Sequence, residues 1–450
     1  MTTKNLGLLP AGWRELGLVA TAVTLLDWPV WVPVQTGLDP SWQAGIADGF
    51  VHHLQWGPSL DFTYGPYGFA ALVEPLYRST ALIAFLYVLV VTWSLAALVV
   101  HALRSYWGLG LSGVAAWVAI VLAQVPLHAA DFASVVALGL ALLIVRSQQQ
   151  ARREALAVFF GALAAFAFLV KLNTGLVMVL LLAIGLMGAD CNWRERLGAA
   201  GRAAIAIVTV FVVCWAGAGQ SFRNIATFAH WSVALVLGYS TAMGGRLVPG
   251  DAKWWAVPIG AAAVLSLASG LLGWPRRRMV AGGLLVAAWG WATVKEGFVS
   301  GNHWPLFFSL VLVATAMAGL AAPPKLLYTL GVALAVCVFL ETPSLPSVAS
   351  PLSSIKAFFI EIGDIAIGTD FSRLQASSRA HTVSSEPLSR STLSLLEGHT
   401  IAIEPWEDLV AWADPAAKWD PEPVVQSYSA YTTGLDRLDA DFIASRQAPA

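Results

Sequence analysis

The chain has 450 residues, of which 57% are hydrophobic and only 12% are charged, and its formal net charge is -1. Soluble globular domains carry about 25% charged residues, so this composition excludes an ordinary soluble protein and indicates many membrane-spanning helices. A net charge near zero also gives no bulk basic field of the kind that binds nucleic acid.

Long apolar runs predict the membrane spans, each of which needs about 17–25 mainly apolar residues. Eleven runs qualify, near residues 16–36, 80–103, 107–125, 131–146, 154–170, 174–188, 203–219, 253–273, 279–295, 304–322 and 325–342. A break is kept at KLNTG, Lys171–Gly175, because one helix over 154–188 would be about 50 Å long. The first run lacks a small-x-small cleavage site, so we expect it to remain as a span.

The basic residues predict the orientation of these spans. With a cytoplasmic N-terminus, the inner segments hold 13 Lys and Arg residues and the outer loops hold six. Cytoplasmic loops characteristically carry this excess of positive charge. Eleven spans then place the C-terminus outside the cytoplasm.

The sequence therefore predicts an α-helical membrane module over residues 1–342 and an extracytoplasmic region over residues 343–450. Within the membrane module, the first outer loop covers residues 37–79. Most of the acidic residues lie in the C-terminal region. After a partly helical lead-in over 343–385, four segments are typical of strand, helix, strand and helix, namely HTIAIEP, WEDLVAWADP, EPVVQSYSAY and TTGLDRLDADFIAS. We expect a small α/β domain there.

The first outer loop opens with Asp39-Pro40, a pair that often starts a helix, with Asp as the N-cap and Pro at the first position. The helix that follows has an apolar side and a polar side, as expected of an interfacial helix lying on the outer leaflet. The apolar side carries Trp42, Ile46, Phe50 and Leu54, and the polar side carries Ser41, Gln43, Asp48 and His52. Asp39 thus has two compatible interpretations, a helix cap and a general base at the outer interface.

The same loop ends in LDFTYGPYGF, Leu60–Phe69. Asp61 is either a turn-forming acid or a second acid of a site. Tyr64, Gly65 and Pro66 predict a tight turn that returns the chain to the membrane.

Two lysines end apolar runs at the predicted outer interface, Lys171 and Lys295. A cation at the membrane edge is usually paired or functional, and otherwise it snorkels to the headgroups. Together with His303, the two lysines could hold a phosphate. Lys295 and Glu296 could equally form a local ion pair.

Other polar residues are assigned structural roles. Asp27 falls in the middle of the first predicted span and predicts a bond to another span. His52 and His53 are adjacent, so they do not share a helix face and predict no zinc site. The three cysteines lie far apart and predict neither a disulfide framework nor a metal site. The sequence indicates no certain cofactor; it leaves a divalent metal open but contains no motif that supports one.

This pattern of about eleven spans, Asp39 just after the first span, a helical first loop and a polar C-terminal region resembles the GT-C superfamily of membrane glycosyltransferases. The resemblance implies transfer of a sugar from a polyprenyl-phosphate donor to an envelope glycan or lipid, at the outer face of a bacterial inner membrane. By position it implies Asp39 as the catalytic base and Lys171, Lys295 and His303 as donor-phosphate ligands. It implies a pocket lined by His52, Tyr64, Asn173 and Glu296.

A further likeness is to bacterial multi-span proteins with an FTYGP-type first loop and a QSYSAYT-type tail, here Phe62–Pro66 and Gln426–Thr432. Two alternatives to the transferase stay open. A transporter or flippase for a lipid-linked glycan would show polar residues near the membrane midplane. A non-catalytic envelope assembly protein would show outer-face charges that do not meet in one pocket.

Overall fold

The chain is an α-helical integral membrane protein. The computed structural model describes residues 12–31, 33–71, 74–123, 129–244, 274–299, 304–317, 350–404, 406–414, 418–445 and 449. Its first ten helices in chain order are α1 (Trp13–Leu26), α2 (Leu38–Val51), α3 (Arg78–Ala123), α4 (Ala129–Arg146), α5 (Gln150–Val170), α6 (Leu172–Gly188), α7 (Trp193–Gly217), α8 (Ile225–Ala242), α9 (Arg276–Phe298) and α10 (Trp304–Met317). One large core of buried apolar residues joins these helices to the first loop and to the C-terminal region.

Within the described ranges, five helical segments are long and apolar enough to cross a membrane, judged by length and composition. They are Arg78–Ala123, Ala129–Arg146, Gln150–Val170, Trp193–Gly217 and Phe222–Ala242. The apolar helix Leu172–Gly188 is shorter. The predicted spans 253–273 and 325–342 lie outside the described residues.

The long helix α3 contains two of the predicted spans, 80–103 and 107–125. It is interrupted at Gly108, whose backbone angles of φ 70° and ψ 175° are not helical. Residues with a Cβ rarely adopt such a positive φ, whereas glycine adopts it freely. The interruption therefore falls at the second residue of the predicted span 107–125, close to the predicted boundary between the two spans.

Charges are sorted along the helices as the orientation rule predicts. Helix α5 carries Arg152 and Arg153 in its first turn and is followed directly by Lys171. Helix α4 runs the other way, with Asp131 in its first turn and Arg146 in its last. Since a 21-residue helix is about 30 Å long, these charges form two groups at opposite ends of the bundle. Which end faces the cytoplasm stays a prediction.

The first predicted span, 16–36, is wrong in its second half. Helix α1 ends at Leu26, and the chain continues in non-helical backbone. Pro29 and Pro33 explain this, because each lacks an amide hydrogen and clashes with the preceding helical turn. Asp27 consequently lies at the end of α1 rather than in the middle of a span, and it is buried.

The non-helical stretch after α1 packs against the two helices that open the C-terminal region, α11 (Pro351–Ile367) and α12 (Thr369–Ser385). The indole Nε1 of Trp28 donates to the Glu361 carboxylate at 2.7 Å, and the backbone amide of Trp31 donates to the same group at 2.9 Å. The prediction of a partly helical lead-in over 343–385 is confirmed for residues 351–385, and this lead-in is anchored to the non-helical stretch between α1 and the first outer loop.

The rest of the C-terminal region contains the predicted order of strand, helix, strand and helix, but the second strand lies at a different position. It contains α13 (Arg390–Leu396), β1 (Thr400–Ile401), α14 (Leu409–Ala413), β2 (Lys418–Trp419) and α15 (Thr433–Ile443). The two short strands pair in parallel. The second strand was expected within EPVVQSYSAY, and β2 instead precedes that segment. EPVVQSYSAY is used elsewhere, as part of the contact with the first outer loop.

That contact is a parallel bridge between Asp61 and Val424. The Asp61 amide donates to the Pro423 carbonyl at 2.5 Å, and the Val425 amide donates to the Asp61 carbonyl at 3.0 Å. The C-terminal region therefore packs on the first outer loop through backbone hydrogen bonds.

The helix predicted to lie on the membrane surface is observed as α2, but its polar side is covered. Residues 41–50 are all buried. The Ser41 hydroxyl accepts from the Leu409 amide, and the Trp419 ring lies against Gly45. The amphipathic pattern correctly predicted the helix and wrongly predicted an exposed polar face, because the C-terminal region supplies that face with partners.

Candidate functional site

The FTYGP turn is seated on the break between α5 and α6. Lys171 is in extended conformation there, with φ -141° and ψ 111°, and forms an antiparallel bridge with Tyr64. The Gly65 amide donates to the Val170 carbonyl at 3.1 Å, and the Tyr67 amide donates to the Leu169 carbonyl at 3.0 Å. The last carbonyls of a helix have no partner within it. The turn supplies partners to the end of α5, which confirms the predicted break and explains its local structure.

Glycine is required at position 65 by this close approach. A Cβ built on Gly65 would lie 2.4 Å from the Leu169 carbonyl oxygen, which is a backbone atom and cannot rotate away. We expect Gly65→Ala to lower the free energy of unfolding by about 1–3 kcal/mol or more, as overpacked sites do. The measurement is thermal unfolding of the full-length protein in nanodiscs. Gly201→Ala is the control, since a Cβ there meets nothing within 4 Å, and an unchanged Gly65→Ala protein would contradict this account of the turn.

Lys171 lies at the centre of a buried ion cluster. Its Nζ is 3.0 Å from Asp131 Oδ1 and 2.6 Å from Glu296 Oε1. The Asn173 amide donates to Glu296 Oε2 at 3.0 Å. The Lys171 side chain is only 10% exposed. The cluster therefore joins the ends of α4, α5, α6 and α9 through side chains that are far apart in sequence.

The electrostatics of this cluster follow from its position at helix ends. Asp131 is favoured in the first turn of α4 by the helix dipole, whereas Glu296 is near the C-terminus of α9, where the dipole disfavours an anion. Burial by itself would lower the pKa of Lys171, but the two carboxylates outweigh it and hold that pKa well above its usual value. Lys171 thus stays charged, and with two carboxylates the ionised cluster carries a net negative charge.

Asp39 is exposed at the start of α2. The N-cap of this helix is Gly37, at φ 129°, and Asp39 follows inside the first turn. The interpretation of Asp39 as the helix cap is therefore wrong, because the helix begins before it. Its Oδ1 instead accepts a hydrogen bond from the Trp42 indole at 3.0 Å, which holds the exposed carboxylate in one orientation.

An aromatic stack connects Asp39 to the ion cluster. The rings of Trp42 and Tyr64 are stacked with centroids 4.2 Å apart and planes 23° apart. On the other side, Lys171 Nζ lies 5.5 Å from the centroid of the Tyr64 ring. This arrangement brings together four residues predicted for the site, Asp39, Tyr64, Lys171 and Glu296. Asn173 completes the group through its bond to Glu296.

The QSYSAYT tail adds residues to which the sequence assigned no role. Tyr428 is 39% exposed. Burial of the rest of the side chain raises the pKa of Tyr428, and the nearby Tyr431 and Asp39 add to that increase. The Tyr431 ring meets Tyr239 of α8 edge to face, with centroids 5.5 Å apart. A group of tyrosines therefore lies close to Asp39, and the motif itself was the only signal in the sequence that could have indicated it.

Gln426 fixes this tail against the loop. Its Nε2 donates to the Leu38 carbonyl at 3.0 Å, directly before Asp39, and its Oε1 accepts from the Tyr428 hydroxyl at 2.8 Å. Gln426 has φ 59°, an uncommon value for a residue with a side chain. A strained backbone at such a position persists only where the surroundings enforce it, and it is typical of functional sites.

Two of the predicted site residues, His52 and Asp61, stand apart from this group. His52 is at the far end of α2 from Asp39, about 20 Å away along the helix axis, and contacts Asp48. Asp61 is fully buried under the tail. Burial raises the pKa of Asp61 well above its usual value, and Asp439 adds to that shift. His303 lies outside the described residues.

Lys295 is close to the cluster in sequence but has a different partner. Its ammonium lies 5.7 Å from the centroid of the Trp291 ring, while Glu296 pairs with Lys171. This pairing differs from the local ion pair considered for Lys295 and Glu296. In the part of the chain that the structure describes, no three His, Cys, Asp or Glu side chains form a group suited to a metal ion.

Comparisons with known proteins give one structural likeness. No family model and no curated protein matches the chain. Among solved structures, the chain is similar to the crystal structure of ArnT from Cupriavidus metallidurans in the apo state, with 14% sequence identity and a TM-score of 0.46. The similarity covers 97% of this chain and 91% of that one.

Proposed function

We propose that this chain is a GT-C-type membrane glycosyltransferase that moves a sugar from a polyprenyl-phosphate donor to a hydroxyl group of an extracytoplasmic glycan or lipid. One observation carries the proposal. The exposed carboxylate of Asp39 is oriented by Trp42, and the half-exposed Tyr428 is tied through Gln426 to Leu38, the residue before Asp39, at the end of the bundle predicted to face outward. A general base needs both this access and this orientation.

The proposed reaction is a direct displacement. Asp39 takes the proton of the acceptor hydroxyl while the hydroxyl oxygen forms a bond to the anomeric carbon of the donor sugar. The bond between that carbon and the phosphate oxygen breaks, and the electron pair leaves with polyprenyl phosphate. Asp39 can take part because it is exposed, whereas the fully buried Asp61 has no access to an acceptor.

The leaving phosphate needs positive charge that is not already neutralised. Lys171 is matched by two carboxylates, which argues against its predicted role as a phosphate ligand. We assign Lys171 instead to positioning, because it holds Glu296, Asp131 and the Tyr64 ring together. Lys295 and His303 remain the proposed phosphate ligands. No cofactor is needed, since the donor already carries an anionic leaving group.

The proposal is tested by the stoichiometry of the reaction. Purified full-length protein is incubated with a panel of polyprenyl-phosphate monosaccharides and an extract of bacterial envelope glycans and lipids. We expect one polyprenyl phosphate released for each sugar that appears on an acceptor. A folded protein that releases no polyprenyl phosphate from any donor would contradict the proposal. Movement of the intact donor across a proteoliposome membrane without release would identify a flippase instead.

Tyr428 gives a prediction about acceptor binding. Its half-exposed ring is linked through Gln426 to the residue before the general base, and it offers an apolar face to a sugar acceptor and a polar edge to its hydroxyls. We expect Tyr428→Ala to raise the KM for the acceptor about tenfold, equivalent to about 1.4 kcal/mol, with a smaller change in kcat. Tyr428→Phe should keep the apolar face and most of the affinity. Steady-state kinetics checks this, with the exposed Phe222→Ala as control, and an unchanged KM in Tyr428→Ala would refute the assignment.

A further inference from the structure

A second polar site lies at the opposite end of the bundle from Asp39. A cavity of about 490 Å³ opens where the turns of α3 just before its break at Gly108 meet the end of α4 and the beginning of α5. Its lining includes His101, Arg104, Arg146, Ser147, Gln149 and Arg152, and no Asp or Glu is among the described residues that line it. The cavity is thus bordered by three arginines and a histidine, and it has no part in the proposed transfer reaction.

Three arginines elsewhere at this end of the bundle are paired with acids. Arg153 pairs with Glu195 at 2.6 Å, and Arg278 pairs with Asp190 at 3.3 Å. Arg202 is paired with Glu154 in the same way. Arg104 and Arg152, which line the cavity, have no such acid partner among the described residues.

Two of the cavity arginines are held by an aromatic ring. The Arg152 guanidinium lies 4.9 Å from the centroid of the Trp13 ring, and that of Arg104 lies 5.7 Å from it. The His101 ring stacks on the same indole at 5.6 Å. Stacking fixes the guanidinium planes but does not cancel their charge. Like charges held this close repel one another, so an anion in the cavity would stabilise the arrangement.

The His101 ring also indicates that the cavity binds a ligand. Its Nδ1 is buried and has no hydrogen-bond partner among the described residues. A buried polar atom without a partner destabilises the folded protein unless something bonds to it. Residues 1–11, which precede Trp13, contain no acidic side chain in the sequence.

We propose that this cavity binds a phosphate group. The planar guanidinium forks of Arg104 and Arg152 match the oxygen geometry of phosphate, and they bind it through paired, charge-assisted hydrogen bonds. The site lies beside Trp13 and the 43% exposed Tyr106, at a level where aromatic residues collect at a membrane interface. Basic pockets between membrane helices on the cytoplasmic side bind anionic lipid headgroups. The phosphate can belong to such a lipid or be free in solution.

Two binding experiments distinguish these sources. In the first, the full-length protein is placed in nanodiscs of phosphatidylcholine with phosphatidylglycerol added, and native mass spectrometry counts the phosphatidylglycerol that stays bound. In the second, inorganic phosphate is titrated calorimetrically into the protein in nanodiscs of phosphatidylcholine alone. Retained phosphatidylglycerol identifies a lipid headgroup site, and saturable heat with inorganic phosphate identifies a site for free phosphate.

The variants localise the binding. Arg104→Gln combined with Arg152→Gln should weaken it at least about tenfold, because the variant loses the charge-assisted hydrogen bonds to the phosphate. Arg194→Gln is the matched control, because Arg194 also stacks on a tryptophan, Trp193 at 5.6 Å, but does not line the cavity. If the double variant does not fold, Arg152→Lys tests whether Arg152 binds the phosphate, because lysine keeps the positive charge but lacks the paired donors of the guanidinium group. Failure of both ligands to bind the wild-type protein, or equal binding by the cavity variants and Arg194→Gln, would overturn the proposal.

Discussion

Replacing Asp39 by Asn should reduce sugar transfer by about 10²–10⁴-fold, the contribution typical of a general base. Asparagine has almost the same shape as aspartate and keeps an oxygen that can accept the Trp42 indole hydrogen. The loop should therefore keep its structure, and only the ability to take a proton should be lost. The expected signature is a fall in kcat with little change in the KM for the donor, since the donor phosphate does not bind to Asp39 in this account.

Two further variants make that result interpretable. Asp441→Asn removes an exposed carboxylate on α15 and should transfer sugar like the wild type. Asp39→Glu restores a base on a longer side chain and should recover part of the activity. Transfer by Asp39→Asn at the wild-type rate, in a protein that unfolds at the wild-type temperature, would exclude Asp39 as the base.

Replacing Lys171 by Met should cause the largest loss of stability among the variants considered. The substitution leaves Asp131 and Glu296 close together without the cation that joins them. Removing one partner of a buried ion pair costs about 3–5 kcal/mol, because the remaining charge is buried and unmatched. Glu296 suffers most, since the C-terminal dipole of α9 already disfavours an anion there. Thermal unfolding in nanodiscs, followed by tryptophan fluorescence, measures the loss.

A double variant separates this mechanism from a simple packing defect. Lys171→Met combined with Glu296→Gln also removes the charge of Glu296, which the helix dipole disfavours, so it should be more stable than Lys171→Met alone. Lys295→Met is the control, because Lys295 makes an aromatic contact worth only about 0.5–1 kcal/mol. If the double variant is no more stable than Lys171→Met alone, the ion cluster does not account for the contribution of Lys171 to stability.

The sequence predicted those parts of the site that depend on local patterns. The break at Lys171 followed from helix length, and the turn at Tyr64-Gly65-Pro66 followed from turn chemistry. The helix after Asp39 followed from its periodicity. In each case the physical cause acts over a few neighbouring residues, so a short window of sequence contains it.

The parts that were not predicted depend on contacts between distant segments. Gln426 binds the carbonyl of Leu38 across a separation of 388 residues, and no local pattern encodes such a bond. The same contact explains two errors. The polar side of α2 was assigned to solvent because its partner, the C-terminal region, was taken as a separate unit. The second strand was placed within EPVVQSYSAY because that segment has strand character, and it expresses that character by pairing with Asp61.

The roles predicted for the two lysines also depended on contacts that the sequence does not reveal. Lys171 and Lys295 look alike in sequence, since each ends an apolar run. Only the fold shows that Lys171 is matched by two acids while Lys295 lies over a tryptophan ring. Charge compensation, which decides whether a cation is available to a phosphate, is a property of the folded site.

The most direct test of the central proposal is a structure of the full-length protein with a non-transferable polyprenyl-phosphate sugar analogue and an acceptor sugar. The account predicts an acceptor hydroxyl within hydrogen-bond reach of Asp39, about 2.6–3.2 Å or one water away, and facing the anomeric carbon of the donor. It also predicts the acceptor ring against Tyr428. An analogue bound with its sugar away from Asp39, or at the opposite end of the bundle, would contradict it.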